Sequence, residues 1–463
     1  MRVIKVVKVR FAPSPTGHLH VGNAKTALLN CLFAMARQGK LVLRIEDTDM
    51  ERSDVSYEKS ILDDLTWLGI AWDEGPLRQT ERFDIYRAYA KTLLDKGVAY
   101  KCFCSQDELE KLREASLKKG EPPRYSGVCR NLSEKEVSQL EQSGKPYVVR
   151  FKSLYKAIPF IDGIHGEIQF PRDHVDDFIL MKQGMTPSYN FAVTIDDMIM
   201  GITHVIRGAD HISNTPKQIM LFEAFGKSPP QYAHHSLLVG EDKKPLSKRH
   251  GATRIKDFRE MGILPEALRN YLGTIGRNVK KEIMDMTEMS GGFSLDSLSK
   301  ADSVFDMEKL YWFNKEYMKH LPLETLLREL DLPAQYGDRV SVLRENTATL
   351  TEMKEFLNVF DTSDISDEGL STLNRIAPPD DFITTLNDII ANHGNTPSFD
   401  TLLNTMVLRN ELKKKDVFMV LRIFLTGRKS GPPLKELFQM IPKEIILERI
   451  NKYLTPRSGE TKE

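Results

Sequence analysis

One turn near the start constrains the fold more than any other stretch: RFAPSPTGHLHVGNAKTALLN, from Arg10 to Asn30. The run before it, VIKVVKV, is β-branched and alternating and predicts a short buried strand. The run after it, ALLNCLFAMARQGK, is apolar at helical spacing, is closed by Gly39, and predicts a helix. Between them Pro13 and Pro15 stiffen the chain, while Gly17 and Gly22 keep it open. A strand that feeds a helix through such a turn belongs to an α/β fold. It also aims backbone N–H groups at whatever lies above the helix N-terminus, a place that favours an anion such as phosphate. His20 could donate to phosphate oxygens there, and the bare backbone of Gly22 would let a nucleobase lie flat. An ordinary strand–helix turn with surface histidines at His18 and His20 fits the same residues, because a His-x-Gly pattern is short.

Composition narrows the class. A chain of 463 residues leaves room for about three domains. Net charge is zero, but from Val407 onward 13 Lys and Arg stand against 7 Asp and Glu, a basic end that hints at a polyanionic partner. Four cysteines imply no disulfide framework and point to a reducing cytoplasm. No run approaches the roughly eighteen apolar residues of a membrane span, so no membrane partner is expected.

Further along, LVLRIEDTD (Leu41 to Asp49) reads as a buried strand ending in acidic residues. That places Glu46 beyond a strand's carboxyl end, where ligands gather in open α/β sheets; a capped helix start is the alternative. The next segment supplies two helices around a proline turn. Cys102, Cys104 and Cys129 then form a spacing that suggests zinc. PSYNFAVTIDD and GITHVIRGADHISNTPKQIM contain the β-rich runs VTIDD and HVI, and Pro216 near the start of a helix. Arg207 leaves its strand beside Gly208, where a planar guanidinium could bind both oxygens of a carboxylate; a surface ion pair is the plainer alternative. KKPLSKRHGA, Lys243 to Ala252, is a cation-dense loop with no helical period. DFREMGILPEALRNYLGTIG reads as a helix with a proline mid-turn, Ser294 to Met318 as two capped helices, and the rest as helical.

A His-Val-Gly turn near the start and a Leu-Ser-Lys-Arg loop more than two hundred residues later are a rare combination. The chain resembles the glutamyl-tRNA synthetases of the class I aminoacyl-tRNA synthetases, from residue 8 to about residue 450. Their HIGH signature is matched by His20-Val21-Gly22-Asn23 and their KMSKS signature by Pro245-Leu246-Ser247-Lys248-Arg249. Asn23 stands where HIGH has its second histidine. Pro245 stands where KMSKS has its first lysine, with Lys244 beside it.

The resemblance implies a Rossmann-type catalytic domain over residues 1–100 and 191–255, interrupted by an acceptor-end-binding module over 101–190. Junction helices would follow over 256–320 and an all-α anticodon-binding domain over 321–463. It implies a monomeric cytoplasmic enzyme that uses ATP and Mg²⁺ to attach glutamate to tRNA-Glu, with charging of tRNA-Gln left open. ATP would meet Pro13, Ser14, His20, Gly22, Asn23, Leu246, Ser247, Lys248 and Arg249, with His20 and Lys248 as catalytic groups. Glutamate would meet Arg10, Ala12, Ser14, Glu46, Tyr189, Val193 and Arg207. Arg10 and Arg207 would hold its side-chain carboxylate, Glu46 would take its ammonium, and Tyr189 would close the pocket. Cys102, Cys104 and Cys129 would form a structural zinc site in which Asn131 replaces a family histidine and Tyr125 could supply the fourth ligand.

Overall fold

Residues 6–118, 120, 125–153, 157–171, 175–246, 249, 251–392, 398–409 and 412–454 are described by the computed structural model. The chain divides into two compact units, Met1–Asp257 with Arg269–Asp306, and Phe258–Leu268 with Met307–Glu463.

In the first unit, β1 (Lys8–Phe11), β2 (Lys40–Ile45) and β3 (Glu74–Arg78) form a parallel sheet in the order β1-β2-β3. The strands that follow are β4 (Ala99–Cys102), β5 (Val148–Phe151), β6 (Ile158–Asp162), β7 (Gly166–Phe170), β8 (Ile179–Met181), β9 (His204–Gly208) and β10 (Gln231–His235). β4, β5 and β8 make a small antiparallel sheet. The rest pair in the order β7-β6-β10-β9, with β6, β10 and β9 parallel. β9 adjoins β1, because Thr203 N–H donates to Lys8 O at 2.8 Å and Lys8 N–H donates to Thr203 Oγ1 at 2.8 Å. The chain thus winds outward from β1 in one direction and returns to build β9 and β10 on its other side. The carboxyl ends of β1 and β9 therefore meet at the switch point of the sheet, where such folds leave a crevice.

The helices of this unit are α1 (Val21–Ala36), α2 (Val55–Trp67), α3 (Phe83–Asp95), α4 (Gln106–Lys118), α5 (Glu134–Gln142), α6 (Tyr189–Ile199) and α7 (Thr215–Ala224). α1 starts directly after the Pro/Gly turn and is buried without a break from Ala27 to Ala34. Gln38 then turns left-handed at φ 49°, and Gly39 follows with no room for a Cβ against the Val7 carbonyl.

Five local expectations are corrected. DFREMGILPEALRNYLGTIG, read as one helix, contributes to two, Ile255–Glu260 and Pro265–Thr274, and its proline opens the second. The first strand lies at Lys8–Phe11, so Arg10 sits on the strand and not in the turn. VTIDD, expected as β-rich, belongs to α6, where Phe191 to Asp197 are all buried; a helix buried on every side has no polar face to reveal its period. β3 lies between the two helices expected around a proline turn, its Gly75 packed against the Leu43 carbonyl. Ser294 to Met318 yields a 3₁₀ turn, Leu295–Ser297, a two-residue strand, Ser303–Val304, and one helix, Met307–His320.

In the second unit every regular element among the described residues is helical, from Met307–His320 to Lys443–Leu454. Lys414–Thr426 ends on Gly427 at φ 70°, and Leu434–Phe438 follows, in keeping with a helical end to the chain.

Candidate active site

The crevice between β1 and β9 is a cavity of about 590 Å³. Its lining includes Arg10, Ala12, Pro13, Ser14, His20, Gly22, Asn23, Glu46, Tyr189, Arg207 and Leu246, all singled out from the sequence. Val193 lies one turn along α6 from Tyr189, fully buried and outside the lining. Arg249 is exposed and pairs with Asp242 at 3.2 Å. Ser247 and Lys248 fall outside the described residues.

A buried charge network underlies the floor. Arg44, on β2 and 0% exposed, donates from Nη2 to Glu46 Oε1 at 3.0 Å and from Nη1 to Asp197 Oδ1 at 2.7 Å. Asp197, on α6, also receives Arg10 Nε at 3.4 Å. Neighbouring Asp196 is enclosed by Arg82 Nε at 2.8 Å, Tyr86 OH at 2.8 Å and Gln79 Nε2 at 2.9 Å. Burial pushes the Glu46 carboxyl up, and the adjacent Arg44 and Arg10 offset part of that rise. Arg44 thus ties Glu46, just past the end of β2, to the α6 carboxylate that steadies Arg10.

Arg207 has different company. It donates from Nε to His234 Nε2 at 3.1 Å and from Nη2 to Thr215 Oγ1 at 2.9 Å. Among the described residues no carboxylate pairs with it, and its Nη1 is buried without a hydrogen-bond partner. Burial, with the nearby Arg10 charge, pulls its guanidinium below the ordinary arginine range. An arginine that is 4% exposed, lines a cavity and keeps an unpartnered N–H is built for an incoming anion.

The opposite wall is the N-terminus of α1. His20 is its N-cap in extended conformation without a side-chain cap bond. A Cβ at Gly22 would meet no atom within 4 Å, so the backbone there faces open space in the cavity. Opposite, Gly240 N–H donates to Lys244 O at 2.9 Å, and Lys243 turns left-handed at φ 57°. That tight turn returns Pro245 and Leu246 to the cavity wall.

Sequence reasoning missed Arg44, Asp197, His234, Lys25 and His235. Lys25, on α1, and His235, on β10, also line the cavity. Burial lowers Lys25 to about 8 and His235 to about 3, so at neutral pH His235 is uncharged while Lys25 keeps most of its charge. Local pattern held no signal for them, since a lysine inside a helical run reads as a solvated face.

Apart from this cavity, in the small β4-β5-β8 sheet and its flanks, the three thiols converge within 4.8 Å of one another. Cys104 Sγ and Cys129 Sγ are 3.6 Å apart. Tyr125 OH lies 3.2 Å from Cys102 Sγ and 3.6 Å from Cys104 Sγ. Tetrahedral zinc with Zn–S of about 2.3 Å needs sulfurs about 3.8 Å apart, so the donor set has suitable dimensions.

Comparison with known proteins shows the family. Residues 6–312 match the model of the class I tRNA synthetase (E and Q) catalytic domain, and residues 304–454 match an anticodon binding domain. The glutamate–tRNA ligase of Aquifex aeolicus is 43% identical, over 97% of this chain and 98% of its own. That of Bacillus subtilis is 40% identical, over 96% and 99%. The crystal structure of a glutamate tRNA ligase from Elizabethkingia meningosepticum in complex with its amino acid aligns with a TM-score of 0.81 at 31% identity, over 97% of this chain and 99% of that one. Two matched domains, full-length relatives and a shared fold make this chain a member of the glutamate–tRNA ligase family of class I tRNA synthetases.

Proposed function

We propose that the chain attaches L-glutamate to tRNA-Glu through an enzyme-bound glutamyl-adenylate. The observation that carries the reading is the buried Arg10 and Arg207 beside one cavity, with Glu46 at its floor and an N–H of Arg207 unpartnered. A ligand with a side-chain carboxylate and an ammonium completes both ends. Glutamine would leave the Arg207 guanidinium buried without a counter-charge.

In this reading Arg10 and Arg207 hold the side-chain carboxylate, Glu46 takes the ammonium, and Tyr189, Ser14 and Ala12 close around the substrate. The α-carboxylate then attacks the α-phosphorus of ATP and pyrophosphate leaves. The terminal 2′-hydroxyl of the tRNA displaces AMP from the adenylate. No protein group need form a covalent bond, so catalysis is positioning plus charge stabilisation. ATP would lie over Pro13, Gly22 and Asn23 with its phosphates near His20, and the Leu-Ser-Lys-Arg match assigns Leu246, Ser247, Lys248 and Arg249 to the same nucleotide. Asp210, beside Glu46 the one carboxylate among the described lining residues, fits a magnesium ion arriving with the phosphates. Magnesium would neutralise phosphate charge there.

The module around the small antiparallel sheet is assigned to the tRNA acceptor end and the helical unit to the anticodon. Cys102, Cys104 and Cys129, with Tyr125 or water as fourth ligand, would hold a structural zinc. Arg150, whose guanidinium lies 4.0 Å over the Tyr125 ring, would balance three thiolates against one divalent ion. Metal analysis of protein purified without chelator is expected to give one zinc per chain. Substoichiometric zinc in folded protein would reduce the thiols to packing groups.

Among the described residues no helix is long and apolar enough to cross a membrane, and we assign a monomer in the cytoplasm. The deciding experiment is aminoacylation with purified tRNA-Glu and tRNA-Gln, supplying glutamate or glutamine. Charging of tRNA-Glu with glutamate and none with glutamine is expected. The tRNA-Gln arm separates a discriminating enzyme from a misacylating one.

A further inference from the structure

Arg207 leans on groups that no substrate touches. His234, on β10, and Asp162, at the end of β6, are both 0% exposed in their side chains and lie 2.6 Å apart through His234 Nδ1 and Asp162 Oδ2. The other His234 nitrogen, Nε2, faces Arg207 Nε at 3.1 Å and Thr215 Oγ1 at 3.2 Å. An arginine N–H can only donate, so Nε2 must present a lone pair. The ring proton is then on Nδ1 and is given to Asp162. The other carboxylate oxygen, Oδ1, is held by three backbone N–H groups: Ile164 at 2.9 Å, His165 at 2.9 Å and His234 itself at 3.3 Å. Asp162 is therefore locked in orientation, it fixes the His234 tautomer, and that tautomer leaves an acceptor where Arg207 needs one.

We propose that Asp162 and His234 are positioning residues for glutamate recognition, acting through the tautomer of His234 to hold Arg207 beside the cavity with Nη1 left unpartnered. The inference rests on the reading that Arg207 binds the substrate's side-chain carboxylate. Its logic explains why the arginine is oriented by a neutral acceptor. A carboxylate at that place would pair with Arg207 and compete with the substrate, whereas imidazole accepts the Nε–H and leaves the charge available. The negative charge of Asp162 sits one ring further away.

Asp162→Asn tests this with little change in shape. The three backbone N–H groups require an oxygen at the Oδ1 place, so the amide nitrogen takes the Oδ2 place and donates to His234 Nδ1. The ring proton must move to Nε2, where it meets Arg207 Nε–H head-on. Long-range ¹H–¹⁵N correlation on histidine-labelled protein should show His234 switching from the Nδ1–H to the Nε2–H form. The glutamate KM should rise about tenfold or more, the range for a lost hydrogen bond to a charged group, with the ATP KM unchanged and kcat moved less. An unchanged glutamate KM, or a His234 that keeps its tautomer, overturns the proposal. If Asp162→Asn does not fold, His234→Asn takes its place. Its amide keeps a donor for Asp162 and offers nothing to Arg207, and the same rise in glutamate KM is required of it. Arg207→Leu runs beside them. No effect there refutes the role of Arg207 itself, while an effect there alone refutes only the positioning chain.

Discussion

The two units bury arginines for opposite purposes. In the catalytic unit Arg207 lines a cavity, is held by the His234 and Thr215 side chains with a longer contact to the His211 carbonyl at 3.4 Å, and keeps Nη1 without a partner. In the helical unit Arg449 is also fully buried, but its guanidinium donates to the carbonyls of Leu425, Val359 and Thr362. Those carbonyls lie at or just past helix ends, at Lys414–Thr426 and at Leu350–Leu357 with its 3₁₀ extension, where acceptors are orphaned and a cation suits the dipole. Arg422 does similar work, giving Nη1 to Gly431 O and Pro432 O at 3.1 Å each. Burial alone therefore does not mark a functional arginine. Arg449 Nε is buried without a partner as well, so what distinguishes Arg207 is that its open donor belongs to a side chain lining a cavity.

The largest effect that tests this contrast comes from Arg207→Leu. Removing one partner of a buried charged contact costs about 2–5 kcal/mol, so the glutamate KM should rise by roughly 30-fold or more. The ATP KM should stay near its normal value and the melting temperature should hold, because Arg207 closes no helix end. Equal losses toward glutamate and ATP would break the comparison by showing a general structural part for Arg207.

Arg449→Leu should do the reverse. Three carbonyls lose their donor, each costing about 1–3 kcal/mol where water cannot reach, so at least about 3 kcal/mol of stability should go. Chemical denaturation should show a lower midpoint in the variant. Glutamate activation below that transition should keep its KM. A selective rise in glutamate KM would mean that Arg449 reports to the active site after all.

What the sequence showed follows the range of each interaction. The strand–turn–helix at Arg10 to Asn30 was legible because its determinants, two prolines, two glycines and a change of period, are neighbours. β2 and Glu46 were legible for the same reason. Arg207 stood out because it leaves a strand beside a glycine, and the family resemblance supplied the role proposed for it. Its His234 and Asp162 support was hidden, since those residues stand 27 and 72 positions from their partners and neither sits in a recognisable motif. Arg44 and Asp197, 153 positions apart, were hidden likewise. VTIDD misled because burial on all sides erases the polar face by which helix and strand are told apart. Lys248 rests on the Leu-Ser-Lys-Arg match alone, because it falls outside the described residues.

The smallest effect separates the units by pH. Burial lowers His204, His211, His234 and His235, all in the catalytic unit, and His235 reaches about 3. In the helical unit the one histidine among the described residues is His320, which is exposed. The sign follows from the protons. Below about pH 6.5 an unfolded chain takes up a proton that folded His235 refuses, so its contribution is intact above that value and drains away toward pH 3. Between pH 6.5 and 5.5 this one group should remove about 1 kcal/mol from the catalytic unit. His235→Gln has no proton to refuse, and its amide can still meet Thr26 Oγ1, which lies 2.9 Å from His235 Nε2. Denaturation midpoints of the catalytic unit, followed at the two pH values in both proteins, should therefore fall less in the variant. The transition of the helical unit should move alike in both. An equal acid shift in the catalytic unit of both proteins would show that His235 is charged in the folded state.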